Sequence, residues 1–148
     1  MNIEDSIRTN KKIPLTKKTI IHLMMVSNAV SESIALTLKP FDVSIQQFNV
    51  LRILRGQNGE AANLSTINSR MVTKMSNTTR LVDKLLAKNY VDRSVCSSNR
   101  RKVEIRITSK GLEALGKMDI VIADAEHTLV QKFNQEELLE LNRLLDKF

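Results

Sequence analysis

The sequence predicts a mainly α-helical fold that carries one small β-hairpin, an α+β chain, and three observations point there. Apolar residues recur at helical spacing through most of the 148 residues. Strict alternation is confined to "KVEIRIT", where Val103, Ile105 and Ile107 alternate with Glu104 and Arg106. Four Gly and two Pro are too few for a turn-rich all-β chain or for disordered linkers. With 42% hydrophobic residues there is enough apolar material for the core of one domain, residues 1–148.

The first helix is read from Thr16 to about Lys39, with Ile20, Leu23, Met24, Ala29, Val30 and Ile34 as its apolar positions. Pro40 ends it, because a proline pushes the residue before it out of the α region. "VSIQQFNVLRIL" then opens a second helix. Ser44 and Gln47 form a capping box, and Val43 can pack on Phe48 as a hydrophobic staple. That helix stops before "GQNGE". Asn63 caps a short third helix, "LSTINSRM", buried through Leu64, Ile67 and Met71. "VTK" connects it to "MSNTTRLVDKLLAKN", whose Thr78, Leu81, Val82, Leu85 and Leu86 share one face. Arg80, Asp83 and Lys84 point the other way, with Ser76, Asn77 and Thr79 near the start.

"YVDRSV" and "KVEIRIT" flank the turn residues Ser97, Ser98 and Asn99, giving the hairpin. Thr108 or Ser109 caps a long helix through Leu112, Leu115, Ile122, Leu129 and Phe133. Asn134 and Glu137 make a second capping box for a last helix with Leu138, Leu141, Leu144, Leu145 and Phe148. Together the first and the last two helices hold more apolar positions than one small lobe can cover. A second copy of the chain would bury them by two-fold symmetry; an intramolecular helical cap is the alternative.

Charge is segregated. Residues 63–110 hold eleven Lys/Arg against three acids, whereas the other residues hold twelve bases and thirteen acids. The net charge of +7 therefore belongs to one segment, the footprint of a nucleic-acid surface rather than of an evenly solvated face. Within that segment, a short helix, a turn and a helix with an outward Ser/Asn/Thr/Arg/Lys end form a helix-turn-helix. The expected readers of base edges are Ser76, Asn77, Thr79, Arg80 and Lys84, since short hydrogen-bonding groups and an Arg reach the major-groove floor. The expected wing is Asn99, Arg100, Arg101 and Lys102, at the hairpin tip, where an Arg can enter a narrow minor groove. Arg93 is the cation placed to brace the hairpin internally instead, and Arg106 to meet a phosphate or solvent.

Other chemistry is sparse. No Gly-rich phosphate loop, nucleophile motif or metal-ligand spacing is present, so neither an enzyme nor a cofactor is expected. His22 and His127 stand far apart and read as helix residues. Cys96 has no resolving partner and reads as a small strand residue. One Cys, no leader-like apolar core in "MNIEDSIRTNKKIPL" and no run approaching about 18 apolar residues suggest a cytoplasmic chain away from membranes.

"VSIQQFNVLRIL", "RMVTKMSNTTRLVDKLLAKNYVDR" and "NRRKVEIRITSKGLEAL" together resemble the MarR (multiple antibiotic resistance regulator) family, over most of residues 43–115. The resemblance implies a winged helix-turn-helix lobe, here 43–110, with helical dimerisation regions at 15–39 and 110–148. It also implies a homodimer on double-stranded DNA, usually a repressor of a palindromic operator, relieved by a small-molecule effector or an oxidant. Met24, Met25, Phe41 and Phe48 are the candidate effector pocket, with ordinary core as the alternative. A metal-sensing winged-helix repressor and a winged-helix RNA- or protein-binding module are the competing functions. Three positions depart from the family pattern: Asn99 stands where an Asp usually precedes the wing arginines, Val72 roughly where the helix-turn-helix turn has Gly, and Asn89 where Gly follows the fourth helix.

Overall fold

The computed structural model describes residues 3–9, 12–74 and 77–148. Its elements run α1 (Ile3–Ser6), α2 (Leu15–Leu38), a 3-10 turn (Lys39–Phe41), α3 (Ile45–Arg55), α4 (Leu64–Arg70) and α5 (Thr78–Ala87). There follow β1 (Val91–Cys96), β2 (Asn99–Ile107), α6 (Ser109–Val130) and α7 (Gln135–Leu145). The fold is mainly helical with one antiparallel two-stranded wing.

The local signals act as the sequence suggests. Ser44 Oγ accepts the Gln47 N–H at 3.1 Å, and Gln47 Oε1 accepts the Ser44 N–H at 2.9 Å, which closes the capping box of α3. Val43 and Phe48, the staple pair, are both buried in the core. Asn63 caps α4 through the Thr66 N–H at 2.8 Å. Between α2 and α3 the chain turns through the 3-10 segment, and Asp42 takes a left-handed φ of 51°.

The core joins the end of α2 to α3, α4, α5, both strands and the first half of α6. Leu38, Leu51, Leu54, Ile67, Leu85, Ile105 and Leu115 are sealed within it. Ala62, just before α4, exchanges two backbone hydrogen bonds with Ile105, 2.9 and 2.8 Å, so the base of the wing is tied to the core as a third, one-residue rung.

The long helices divide differently from a single apolar stripe. On α6, Leu115, Met118 and Ile122 are buried, while Leu112 and Ile120 are exposed. The helix also stops at Val130 rather than reaching Phe133. Asn134 must be extended (φ −80°, ψ 172°) to cap α7, so residues 131–133 form the turn that delivers it. α7 buries no residue, and α2 buries only Leu38. Met24, Val30, Leu36, Leu139, Leu141 and Leu144 thus all face outward from this chain. Leu15–Phe41 is, among the described residues, the one stretch long and apolar enough on average to cross a bilayer, although Ser27, Asn28, Ser31, Glu32 and Ser33 interrupt it. At the N-terminus, α1 lies on α2. Ile3 is fully buried there, and Lys18 reaches both carboxylate oxygens of Glu4 at 3.0 and 2.9 Å.

Candidate nucleic-acid interface

Helix α5 is positioned by its apolar face. Val82 and Leu85 are buried, Leu81 and Leu86 pack on the core, and Thr78 donates a hydrogen bond to Asn68 Oδ1 of α4 at 3.2 Å. That bond joins the two helices of the helix-turn-helix beside the start of α5. The opposite face, Thr79, Arg80, Asp83 and Lys84, is exposed. Asn77 is the N-cap: its Oδ1 accepts the Arg80 N–H at 3.3 Å, which leaves its amide N–H groups as the outward donors. Ser76 lies outside the described residues. Val72, 90% exposed in the preceding turn, keeps a negative φ, so glycine's left-handed freedom is not used there.

The C-terminal end of α5 fixes where the wing begins. Asn89 has φ 58°, donates to the Leu86 carbonyl at 2.9 Å, and lets Tyr90 donate to the Leu85 carbonyl at 3.0 Å. This is a Schellman motif with Asn in place of the commoner Gly. Thr108 meets the same junction from the far end of the hairpin. Its N–H donates to the Tyr90 carbonyl at 3.0 Å and its hydroxyl to the Asn89 carbonyl at 2.7 Å, while its Oγ1 accepts the Gly111 N–H at 2.9 Å as the N-cap of α6. Gly111 is buried against Tyr90; a Cβ at this position would lie 2.1 Å from the Tyr90 carbonyl oxygen. The end of the recognition helix, the root of the wing and the start of α6 meet at this joint. "TSKG" was its only sequence trace.

The wing pairs regularly from Val91–Ile107 to Val95–Val103, and then the register slips. Cys96 pairs with Asn99 where the preceding register would give Lys102. Arg100, Arg101 and Lys102 therefore fall in a bulge, which takes their backbone out of the ladder and re-aims their side chains. All three are exposed, and none has an ion-pair partner among the described residues. Asn99 spends its side-chain oxygen on the Arg101 N–H at 3.0 Å, an Asx-type turn that fixes the backbone and leaves the guanidinium free. Cys96, half-buried, lies 3.1 Å from Ser98 Oγ.

Two ion pairs brace this surface. Arg93 of β1 reaches Asp83 of α5 at 2.8 Å, linking wing and recognition helix. Lys88 meets Asp42 at 2.7 Å, linking the end of α5 to the turn before α3. The Lys88 ammonium, with Lys84 further off, holds the Asp42 carboxyl below its usual range. Arg106 pairs at 3.4 Å with Glu104 on its own strand.

The four pocket residues do not converge. Phe48 is buried core, Phe41 and Met25 are half-buried, and Met24 is exposed. A cleft of about 730 Å³ lies between the second half of α2, the start of α3 and the end of α5. It is lined by Leu36, Lys39, Val43, Gln47, Lys84 and Lys88 among others, and by none of those four. Among the described residues no three His, Cys, Asp or Glu side chains gather as a metal site would require.

The MarR family profile matches residues 43–103, from the staple residue of α3 into the wing. The transcriptional repressor IacR of Pseudomonas putida is 26% identical over 124 residues, covering 84% of this chain and 73% of its own. The crystal structure of a MarR transcription factor from Planctomyces limnophilus superposes with a TM-score of 0.74 at 27% identity, over 93% of this chain and all of that one. A cysteine-to-serine mutant of E. coli MarR, solved in complex with operator DNA, matches the fold over 99% of this chain and 98% of its own, with a TM-score of 0.76 at 21% identity. With its helix-turn-helix, its braced wing and its flanking helices, this chain has the winged helix-turn-helix fold of these structures, and over residues 43–103 it is similar to the MarR family of transcriptional regulators.

Proposed function

We propose that the protein is a homodimeric repressor that binds a palindromic operator on double-stranded DNA in the cytoplasm and is released by a small-molecule effector. Asn77, Thr79, Arg80 and Lys84, with Ser76, read base edges in the major groove. Arg100, Arg101 and Lys102, on the turn held by Asn99, enter the flanking minor groove. The observation that carries this reading is the Asp83–Arg93 pair at 2.8 Å beside five exposed cations that lack carboxylate partners among the described residues. Ground-state pairing is spent on aligning wing with recognition helix, and the remaining cations are left for an external polyanion.

The outward apolar faces of α2, α6 and α7 support the dimer, because a monomer in water rarely exposes so much apolar surface. Two-fold symmetry sets two recognition helices about 34 Å apart, one turn of duplex. The cavity under the end of α5 is the favoured effector site, since Lys84 borders both it and the DNA-facing side.

The test is equilibrium binding to genomic fragments retained by the purified protein, across a salt titration. A shared palindrome and an affinity that falls steeply with salt are expected. Affinity that is equal on all duplexes, or indifferent to salt, refutes the reading.

A further inference from the structure

One pair of cations belongs to neither the recognition face nor the wing. Arg52 of α3 and Arg70 at the end of α4 line a cleft of about 290 Å³ together with Asn49, Ile53 and Val72. Neither arginine has an ion-pair partner among the described residues, whereas Arg55, three positions along α3, is paired with Asp119. The Arg52 guanidinium lies over the Phe48 ring, 5.6 Å from its centre, so its position is held without neutralising its charge. Val72 is 90% exposed, the most exposed of the large apolar side chains described. No packing among the described residues accounts for an isopropyl group there.

The chemistry of the cleft is two guanidinium forks and an amide beside two aliphatic walls. A nucleic-acid backbone presents the complement: an anionic phosphate that accepts paired N–H donors, beside the apolar edge of a deoxyribose. The position fits as well. The bond from Thr78 to Asn68 holds the last turn of α4 against the first turn of α5, and Arg70 follows Asn68 by two residues. The cleft therefore lies beside the end of α5 that carries Asn77 and Thr79. We propose that Arg52 and Arg70 grip one backbone phosphate of the operator at the edge of the major groove that α5 enters, with Val72 packed on the adjoining sugar. This rests on the DNA-binding reading above and adds a third contact region, one that orients the helix-turn-helix without reading sequence.

The test uses the full-length protein and the tightest duplex recovered from the retained genomic fragments. The double variant Arg52→Ala/Arg70→Ala should make the plot of log affinity against log salt shallower by about 0.9 for the one phosphate, equivalent to about eightfold weaker binding at 0.1 M salt, and each single variant by a smaller amount. The ranking of base-substituted duplexes should not change. A phosphate whose ethylation blocks the wild-type complex should stop mattering in the double variant. Arg52→Lys should keep the wild-type slope, because it keeps the charge. Thermal unfolding of each variant separates loss of the Phe48 contact from loss of a phosphate, and Arg70→Ala touches no ring. A double variant with the wild-type slope and the wild-type interference map overturns the proposal, however much weaker it binds. Wild-type protein that binds no duplex overturns the DNA reading as well, and is recognised by the failure of the wild type itself.

Discussion

Replacing Gly111 by Ala should damage the joint on which the candidate DNA-binding surface hangs. The added Cβ would lie 2.1 Å from the Tyr90 carbonyl oxygen, 2.9 Å from the Tyr90 carbonyl carbon and 2.9 Å from Ile107 Cγ1. Even the shortest contacts that real Cβ atoms make are near 3.0 Å, so α6 and the Tyr90 peptide must separate by at least 0.9 Å. The nearest obstacle is backbone, which cannot turn away as a side chain can. Overpacking costs about 1–3 kcal/mol, and a 0.9 Å strain against backbone belongs at the upper end. The Thr108–Tyr90 bond of 3.0 Å and the Thr108–Asn89 bond of 2.7 Å stretch with it, at about 1 kcal/mol each. Against this, Ala gains about 1 kcal/mol over Gly as a helix former. The net loss is about 2–4 kcal/mol, or a Tm lower by about 6–12 °C for a chain of this size. Gly116→Ala is the matched control in the same helix, because nothing lies within 4 Å of its added Cβ. It should stabilise by about 0.5–1 kcal/mol. Both are measured by thermal and urea unfolding at one protomer concentration, so that dimerisation does not bias the comparison. Gly111→Ala as stable as the wild type would refute the steric reasoning, and Gly116→Ala that is equally destabilised would show that glycine is needed in α6 for some other reason.

Three further outcomes follow from the same geometry. Asn89, with φ 58°, should tolerate Gly at equal or slightly higher stability, while Ala should cost about 1 kcal/mol in urea unfolding; equal effects would argue against the left-handed cap. The Asp83–Arg93 pair is about half exposed at both ends, so a double-mutant cycle should give no more than about 1 kcal/mol of stability. Asp83→Asn should nevertheless weaken DNA binding by loosening the wing, and a variant with wild-type affinity would show that the brace has no part in binding. The Asp42 carboxyl is held below its ordinary value by Lys88, so its contribution is present above the ordinary carboxylate range and is lost as pH falls through its lowered folded value. Lys88→Met should return the Asp42 titration, followed by carboxyl NMR, to the ordinary range; no movement would mean that the pair is absent in solution.

Much of this protein is determined by the sequence alone because its signals are local. A cap is a side chain and an N–H three residues away, so Ser44–Gln47, Asn63 and Asn134–Glu137 could be read in order and all cap a helix, and of Thr108 and Ser109 it is Thr108 that caps; Asn77, read only as a base contact, is also a cap. Alternation revealed the inner strand, and the confinement of positive charge to residues 63–110 pointed to the candidate surface, since neither depends on distant packing. The end of α6 was placed three residues too late because an apolar residue, Phe133, continues the helical spacing while the backbone is already turning toward the next cap.

Only the tertiary structure decided the rest. The bulge that gathers Arg100, Arg101 and Lys102 follows from how two strands register, and no spacing within one strand encodes it. The Ala62–Ile105 rung, the Asp83–Arg93 brace and the Gly111–Tyr90 approach join residues that become neighbours only once the helices have packed. Which arginines are spent is a property of the same kind. Arg52 and Arg55 read alike as letters three apart, yet one faces an aspartate on another helix and the other an open cleft. Periodicity gives the face a side chain takes, but the partner waiting there is set by chain that lies far away in sequence.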